Sequence, residues 1–174
     1  MNWVYSKNSD NSARFTLGVE AKNVMFCFGI NPSTAKPNKL DNTLKSVVRI
    51  AERHDYDGWL MLNVYPQRAT NPKDLHMQMN VKLHEANLKH IERALQTYRG
   101  HIQILAAWGT LINKRKYLKD CLKDIYYLFE KYDCEWVCVG QPSKAGHPHH
   151  PLYISNSERL KPFLIKQYIQ TLLC

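Results

Sequence analysis

Runs of consecutive apolar residues alternate along the chain with segments whose apolar residues recur at helical spacing. The apolar runs predict strands, and the periodic segments between them predict amphipathic helices. Strands are predicted at 23–30, 58–65, 101–109 and 135–140, and helices at 41–54, 80–98, 116–132 and 156–173. Pro162 is expected to lie in the first turn of the last helix or to kink it.

This alternation of strands and helices predicts an α/β fold. Continuous apolar strands between amphipathic helices are typical of a parallel sheet that helices cover on both faces. Right-handed crossover connections make such a sheet doubly wound. Residues 1–20 hold two short strand-like segments around a polar turn, which predict a small hairpin. We therefore expect a single domain, 1–174, with a doubly wound, four-stranded, mainly parallel sheet and an N-terminal hairpin.

The composition is that of a folded domain. The 174 residues, 44% of them hydrophobic, are enough to build a full core. No apolar run is long enough to predict a transmembrane helix, and the N-terminus lacks the apolar segment of a signal peptide. We therefore expect a cytoplasmic protein without membrane contact. Its five cysteines are expected to be reduced and mostly buried.

The chain is strongly basic, with a formal net charge of +9 at pH 7. This charge favours a polyanionic partner such as nucleic acid, and solubility alone is the alternative explanation. The lysines and arginines are scattered and form no long basic tail. A nucleic-acid surface would therefore have to be assembled by the fold.

The segments that follow the four predicted strands hold most of the unusual polar and aromatic residues. In an open parallel sheet, ligands bind beyond the carboxyl ends of the strands. The four segments are therefore expected to converge on one rim and to line one cleft. The expected lining residues are Asn31, Ser33, Asn63, Arg68, Trp108, His147, His149 and His150.

The segment FGINPSTAK, residues 28–36, ends the first predicted strand in a constrained polar turn. Backbone amides near the following helix could bind a phosphate, and Asn31 could orient a water molecule. The turn matches neither a Walker loop nor a dinucleotide-binding fingerprint. It contains no acid, and Asp41 is the nearest candidate for a general base. The turn either redirects the chain or presents Asn31 and Ser33 to a ligand.

Asn63 is unusual because it ends a predicted buried strand, where a carboxamide must find hydrogen-bond partners. Its side chain either pins a neighbouring loop or recognises an amide-like edge such as that of a nucleobase. Trp108 and Tyr153 are predicted near the same rim. They either stack on a base or pack as ordinary aromatic residues.

The segment GHPHHPLY, residues 146–153, places three histidines within four positions. No second group of ligands has an obvious metal-binding spacing, so no metal or other cofactor is expected. The functional interpretation is an imidazole that stabilises developing negative charge. A purely structural loop is the alternative.

Taken together, these segments resemble an uncharacterised bacterial and phage family of unknown function, the DUF family numbered sixteen-forty-three. The similarity extends over nearly the whole chain. The matching motifs are Asn-Pro-Ser-Thr-Ala at 31–35, Asp-Asn-Thr at 41–43, Asn63 with Arg-Ala-Thr-Asn-Pro at 68–72, Trp-Gly at 108–109, and the segment 146–153. This resemblance brings no established activity with it.

The same segments are also similar to motifs of the uracil-DNA glycosylase superfamily, whose fold is a doubly wound four-stranded parallel sheet. Gly29, Ile30, Asn31 and Pro32 match the Gly-Ile-Asn-Pro-Gly motif of its mismatch-specific branch, and Ser33 replaces the last glycine. In that branch the asparagine positions the attacking water. The resemblance therefore implies the same role for Asn31.

Two further motifs extend this resemblance. Asn63 in LMLN matches the asparagine that recognises the extruded base, and NVYPQRATNP is similar to the segment that follows it in the thermophile-type branch. The segment 146–153, which we call the histidine loop, resembles the final motif of the superfamily, whose histidine stabilises the leaving base. The motif can be aligned so that its histidine is either His147 or His150. The iron–sulfur cysteines of that branch have no counterpart. Leu152 with Tyr153 is the only candidate for an apolar wedge.

The resemblance implies a hydrolase of the N-glycosidase type that excises a natural or modified base from nucleic acid, with DNA favoured over RNA. Asn31 and His150 are the expected catalytic residues. The expected base- or ligand-binding residues are Gly29, Ile30, Ser33, Asn63, Arg68, Trp108, His147 and Tyr153. One alternative is a non-catalytic nucleic-acid or nucleotide-binding protein. Another is a hydrolase of a free modified nucleoside or nucleotide.

Overall fold

The computed structural model of the protein describes residues 2–98, 100–155 and 157–173. Within these ranges the strands are β1 (Trp3–Lys7), β2 (Arg14–Val19), β3 (Val24–Gly29), β4 (Gly58–Asn63), β5 (Ile102–Ala106), β6 (Cys134–Val139) and β7 (Leu160–Pro162). The helices are α1 (Asn42–Arg53), α2 (Val81–Thr97), α3 (Tyr117–Phe129) and α4 (Ile165–Leu173). None of these described helices is long and apolar enough to cross a membrane.

The strands form one mixed sheet in the order β1-β2-β4-β3-β5-β6-β7. The four central strands β4, β3, β5 and β6 are parallel, as the alternating pattern predicts. The α/β prediction is confirmed, but the prediction of a four-stranded sheet is wrong, because seven strands pair within the described residues. The predicted hairpin β1–β2 extends the sheet through the antiparallel pairing of Leu17 with Met61.

The last predicted helix, 156–173, is wrong in its first half. Leu160–Pro162 forms β7, which pairs antiparallel with β6, and α4 begins only at Ile165. The physical reason is Pro162, which has no backbone N–H to donate and restricts the residue before it to extended conformations. Such a residue fits the edge strand of a sheet. Asn156, the first residue of that predicted helix, lies outside the described residues.

The core lies in two layers, one on each face of the sheet. Along β3, Phe26 and Phe28 point to one layer, and Met25 and Cys27 point to the other. The first layer packs against α2, α3 and α4, and the second packs against α1. Because both faces are covered, the central strands are mostly apolar, and their polar residues lie near the strand ends, as Asn63, Gln103 and Glu135 do.

The described cysteines are free thiols. Cys27, Cys121 and Cys138 are buried, and Cys134 is partly buried. Burial raises the pKa of Cys121 to about 12, so its thiol stays protonated at neutral pH. The prediction of free, mostly buried thiols is confirmed for these four, and Cys174 lies outside the described residues.

The parallel register brings the carboxyl ends of the central strands to one edge of the sheet. Gly29 at the end of β3 lies opposite Asn63 at the end of β4, and Phe28 lies opposite Ala106 of β5. The segments that follow these strands are therefore neighbours. The candidate site lies along this edge.

Candidate functional site

A small cavity of about 70 Å³ opens where β3 ends, and we call it the inner cleft. Five residues predicted from the sequence line it: Gly29, Ile30, Asn31, Ser33 and His150. It is also lined by Arg14 of β2, Asp41 and Thr43 at the start of α1, Met61 of β4, and Leu111. The turn after β3 and the histidine loop therefore meet, as expected from the strand order.

A larger cavity of about 380 Å³ lies beside the inner cleft, and we call it the outer pocket. Its lining includes Trp108, His147, His149, His150 and Tyr153. His150 and Leu111 line both cavities and so form the boundary between them. The volume of the outer pocket lies in the range of small-molecule sites, which span roughly 300–1,000 Å³.

Asn31 is held by its amide nitrogen. Nδ2 donates to the carbonyl of Ala69 at 2.8 Å and to the carbonyl of Pro32 at 3.0 Å. These bonds fasten the turn after β3 to the segment after β4. No donor among the described residues bonds to the carboxamide oxygen of Asn31. That oxygen is therefore available to accept a hydrogen bond from a ligand in the inner cleft.

His150 is half-buried, and its position fixes its neutral tautomer. Nδ1 accepts a hydrogen bond from the backbone N–H of Leu152 at 3.3 Å, so a neutral ring carries its proton on Nε2. Burial lowers the pKa of His150, and the carboxylate of Asp41 partly opposes this effect. The imidazole is therefore predominantly neutral at pH 7. Its Nε2–H has no partner among the described residues.

The backbone around His150 depends on a glycine. Gly109 has a φ of 60°, and a Cβ built at that position would lie 3.4 Å from Cβ of His150. A residue with a side chain would be strained at this positive φ, while the contact of its Cβ with His150 would be an ordinary one. This explains why the Trp-Gly pair follows β5.

Asp41 lies at the start of α1, where it caps the helix. One carboxylate oxygen accepts from the backbone N–H of Leu44 at 2.9 Å. The charge of Asp41 raises the pKa of both Arg14 and His150, so it acts on groups at both ends of the inner cleft. Asp41, which the sequence suggested as the nearest candidate for a general base, therefore lines the inner cleft.

Arg14 is the site residue that sequence reasoning missed. It belongs to β2 and is only 2% exposed, although it lines the inner cleft. Its Nη1 donates to the carbonyl of Ala35 at 3.2 Å, while Nε has no partner among the described residues. An arginine at the start of the apolar segment RFTLGV was the available signal, of the same kind as Asn63 in LMLN.

Asn63 lies beneath the inner cleft and not at its surface. Its side chain is fully buried, and neither Nδ2 nor Oδ1 has a partner among the described residues. A Cβ built on Gly29 would lie 3.6 Å from Oδ1 of Asn63 and 2.7 Å from the methyl group of Met61. The missing side chain of Gly29 therefore leaves room for the Met61 methyl beside the carboxamide.

Trp108 and His147 are buried residues in the wall of the outer pocket. Trp108 is fully buried and donates its indole N–H to the hydroxyl of Tyr168 at 3.0 Å. The same hydroxyl lies 2.7 Å from Nδ1 of His147, whose Nε2 lies 3.1 Å from Nδ2 of Asn113. Burial lowers the pKa of His147. With both ring nitrogens engaged, His147 shapes the pocket wall, and Trp108 packs in the core.

Arg68 lies outside both cavities. Its Nη1 donates to the carbonyls of Ser33 and Ala35, and its Nη2 donates to the hydroxyl of Tyr5 at 3.0 Å. It lines a shallow depression that we call the basic groove, with Asn11, Ser33, Thr34, Lys36, Lys39, Ala69 and Thr70. Ser33 also lines the inner cleft, so the groove and the cleft are adjacent.

Leu152 and Tyr153 form an exposed apolar step next to the outer pocket. Tyr153 is 82% exposed and Leu152 is 44% exposed. Tyr153 lines the outer pocket, with its ring centroid 5.8 Å from that of His150. In the described part of the chain, no group of three His, Cys, Asp or Glu side chains is arranged to hold a metal ion.

Comparison with known proteins places the chain in a family. The model of the family described as Protein of unknown function (DUF1643) matches residues 14–152. The match covers well over half of the chain, which therefore belongs to this family. It includes the turn after β3, the start of α1 and the histidine loop. No curated protein and no solved structure matches the chain.

The unpaired carboxamide of Asn63 leads to a prediction about stability. We expect Asn63→Leu to raise the free energy of unfolding by about 1 kcal/mol, because a buried polar group without a partner destabilises the fold. Urea unfolding with an unchanged m-value measures this. Asn87→Leu is the contrasting variant and should lower stability, because Nδ2 of Asn87 donates to the backbone carbonyl of Asn63 at 2.9 Å and this loss outweighs the removal of its unpaired Oδ1. A large loss of stability in Asn63→Leu would contradict the prediction.

The electrostatic effect of Asp41 on His150 leads to a prediction about pH. We expect NMR titration to give a pKa of His150 below 6.5, and a still lower pKa in Asp41→Asn, because the carboxylate favours the imidazolium. Asparagine retains the helix cap. Since the folded-state pKa is depressed, the contribution of His150 to stability is lost as the pH falls below about 6.5. Glu52→Gln, near the other end of α1, is the control. An equal shift of the His150 pKa in both variants would contradict the effect of Asp41.

Proposed function

We propose that this family member is an N-glycosidase that removes a natural or modified base from a nucleic-acid strand, with DNA favoured over RNA. The observation that carries the proposal is the position of His150. It presents a neutral Nε2–H at the boundary between a pocket large enough for a nucleoside and a small polar cleft. A leaving group in one cavity and a nucleophile in the other would flank the same imidazole.

The extruded base would occupy the outer pocket. A base must leave the helical stack before an enzyme can act on it, and the cost of extrusion is a few kcal/mol. The exposed ring of Tyr153 offers a stacking surface at the entrance, worth roughly 1–3 kcal/mol. Leu152 beside it is exposed and would fill the space that the base leaves in the strand.

The nucleophile, water in the simplest case, would bind in the inner cleft. The carboxamide oxygen of Asn31 accepts one of its hydrogen bonds, and Asp41 accepts its proton, because a carboxamide is too weak a base to do so. The water oxygen bonds to the anomeric carbon as the bond from that carbon to the base nitrogen breaks. The electron pair leaves with the base, whose negative charge is stabilised by the Nε2–H of His150.

The basic groove would hold the strand. Lys36, Lys39 and Arg68 line it, together with the hydroxyl groups of Ser33 and Thr70, which lie 2.8 Å apart. No acid is among its lining residues. Cationic side chains beside hydroxyl donors are suited to phosphate oxygens. The net charge of +9 favours the same kind of partner.

A second candidate is a protein that binds nucleic acid or nucleotides without cleaving them. The observation in its favour is that Asn31 and Asp41 also have structural roles, Asn31 in fastening the turn and Asp41 in capping α1. A third candidate, hydrolysis of a free modified nucleoside, is consistent with the volume of the outer pocket. These three candidates differ in products and in dependence on a strand.

The proposal predicts base excision that depends on Asp41 and His150. Oligonucleotides carrying natural, deaminated and hypermodified bases are incubated with the protein and then treated with alkali. We expect strand scission with at least one base, reduced about 100-fold or more in Asp41→Asn and in His150→Gln, since each removes a proton-handling or charge-stabilising group.

The control for this assay is His101→Gln, which lies at the opposite end of the sheet and should keep full activity. Binding without any abasic product would favour the second candidate. Release of base from free nucleosides alone would favour the third. If the whole panel, as DNA and as RNA, is neither bound nor cleaved, the proposal is wrong.

The basic groove predicts a change in the salt dependence of binding. In the double variant Lys36→Ala with Lys39→Ala, the slope of log K against log salt concentration should become shallower by about 1.4 for single strands, because two phosphate contacts are lost. Fluorescence anisotropy at several salt concentrations measures the slope. The matched control is Lys82→Ala with Lys89→Ala on exposed positions of α2. Equal changes in both double variants would rule out the groove as the path of the strand.

A further inference from the structure

We propose that the inner cleft is a binding site for an oxyanion of the phosphate class, and that Arg14 is the residue that holds it. This inference goes beyond base excision and does not depend on it, and an anion bound in the inner cleft would displace the water molecule that base excision places there. An anion at Arg14 would be a ligand of the protein even if no glycosidic bond is cleaved.

The first step is the unbalanced charge of Arg14. The side chain is 98% buried, Nε has no partner, and no described Asp or Glu oxygen lies within 4.0 Å of its nitrogens. Burial and the neighbouring Arg68 lower its pKa to about 10, so it is still charged at neutral pH. A buried charge without a counter-ion is strongly unfavourable. A negatively charged ligand would remove this penalty.

The second step is the arrangement around Arg14. Arg14 and Arg68 both donate to the carbonyl of Ala35, so two guanidinium groups lie close together. The only acid that lines the inner cleft is Asp41, and one of its oxygens is bound to the backbone N–H of Leu44. Within the described residues the protein therefore supplies less negative charge than the two arginines would need for balance.

The third step is the start of α1. This helix has 12 residues, and Asp41, Thr43 and Leu44 at its N-terminus line the inner cleft. A helix N-terminus carries partial positive charge and free N–H groups, which favour anions. Here the helix end and the buried guanidinium of Arg14 face the same cavity. The helix N-terminus and the buried guanidinium together define the anion site, because neither of them alone would do so.

The fourth step is the size and polarity of the cavity. A volume of about 70 Å³ corresponds to roughly two water molecules at about 30 Å³ each, which is close to the size of one phosphate group. Ser33, Thr43 and His150, which also line the cavity, carry further polar groups, although the hydroxyl of Ser33 already bonds to that of Thr70 at 2.8 Å. The oxygens of a tetrahedral oxyanion can accept several hydrogen bonds, and those from a charged donor such as Arg14 are the strongest.

The oxyanion has two possible sources with the same chemistry. One is inorganic phosphate, and the other is a phosphate group of a bound strand that enters from the adjacent basic groove through Ser33. Both place phosphate oxygens at Arg14. They differ in whether a polynucleotide competes with free phosphate.

Thermal unfolding of the full chain tests the site directly. With saturating inorganic phosphate, compared with sodium chloride at equal ionic strength, we expect Tm of the wild type to rise by about 5 °C. Arg14→Met should lose this rise while keeping an equal or higher Tm without phosphate, because it removes an unpaired buried charge. No rise in the wild type, or an unchanged rise in Arg14→Met, would overturn the proposal.

Two further variants keep the test decisive. If Arg14→Met does not fold, Arg14→Lys, which retains the charge and loses the Nε donor, must weaken phosphate binding in calorimetry; unchanged affinity overturns the proposal. The double variant Lys36→Ala with Lys39→Ala should keep the phosphate-dependent rise. Loss of the rise in that variant alone would place the anion in the basic groove and would also overturn the proposal.

A labelled single-stranded oligonucleotide distinguishes the two sources. If the strand supplies the phosphate, free phosphate competes with it, and Arg14→Met binds it about 10-fold more weakly. If inorganic phosphate is the ligand, Arg14→Met loses the phosphate-dependent rise but binds the oligonucleotide as the wild type does. Both results support the site. A failed base-excision assay leaves the phosphate-dependent rise unaffected, so the two proposals are tested separately.

Discussion

Side-chain hydrogen bonds to backbone carbonyl oxygens hold the turn after β3 in place, and the candidate site depends on them. Arg68 donates to Ser33 and Ala35, Arg14 donates to Ala35, and Asn31 donates to Ala69. These bonds tie the turn to β2 on one side and to the segment after β4 on the other. Because the turn has little regular secondary structure of its own, its shape depends on these side chains. The antiparallel hairpin therefore has a role in the site as well as in the sheet, since it supplies both Arg14 and the hydroxyl that Arg68 binds.

Several buried polar groups at this edge of the sheet make the fold less stable than apolar side chains would. Asn63 has an unpaired carboxamide, and Nε of Arg14 and Nε of Arg68 are buried without partners in the described structure. Burying such groups costs on the order of 1–3 kcal/mol each, and more when they are charged. Two further unpaired atoms, His84 Nδ1 and Asn87 Oδ1, belong to α2. Local rules are usually broken where a protein binds or reacts, so the unpaired groups at this edge are consistent with the proposed site.

The central strands could be predicted because burial on both faces makes each of them a continuous apolar run, as in VMFCFG at 24–29. The convergence of Asn31 and His150 followed from strand order alone. Other features depend on pairings between distant residues, which periodicity does not contain. The pairing of Leu17 with Met61, which brings Arg14 to the cleft, is one example. The depth of Asn63 is another, because strand order predicts the edge of the sheet and not how deeply a side chain at that edge is buried.

The burial of His150 connects the packing of the site with its chemistry. The capping bond from Leu152 and the low polarity around the ring both favour the neutral imidazole with its proton on Nε2. A neutral donor does not repel Arg14 as an imidazolium would, and in the proposed base excision it would not repel the cationic transition state. Arg14 contributes a fixed positive charge on one side of this donor, and Asp41 contributes a fixed negative charge near it. The inner cleft thus combines an anion-binding group with a carboxylate, so its occupant must satisfy both. A group that carries negative charge and can also donate a hydrogen bond, such as a protonated phosphate, would satisfy both residues. The water molecule of the proposed base excision would occupy the inner cleft when no anion is bound, because the cleft is too small for both.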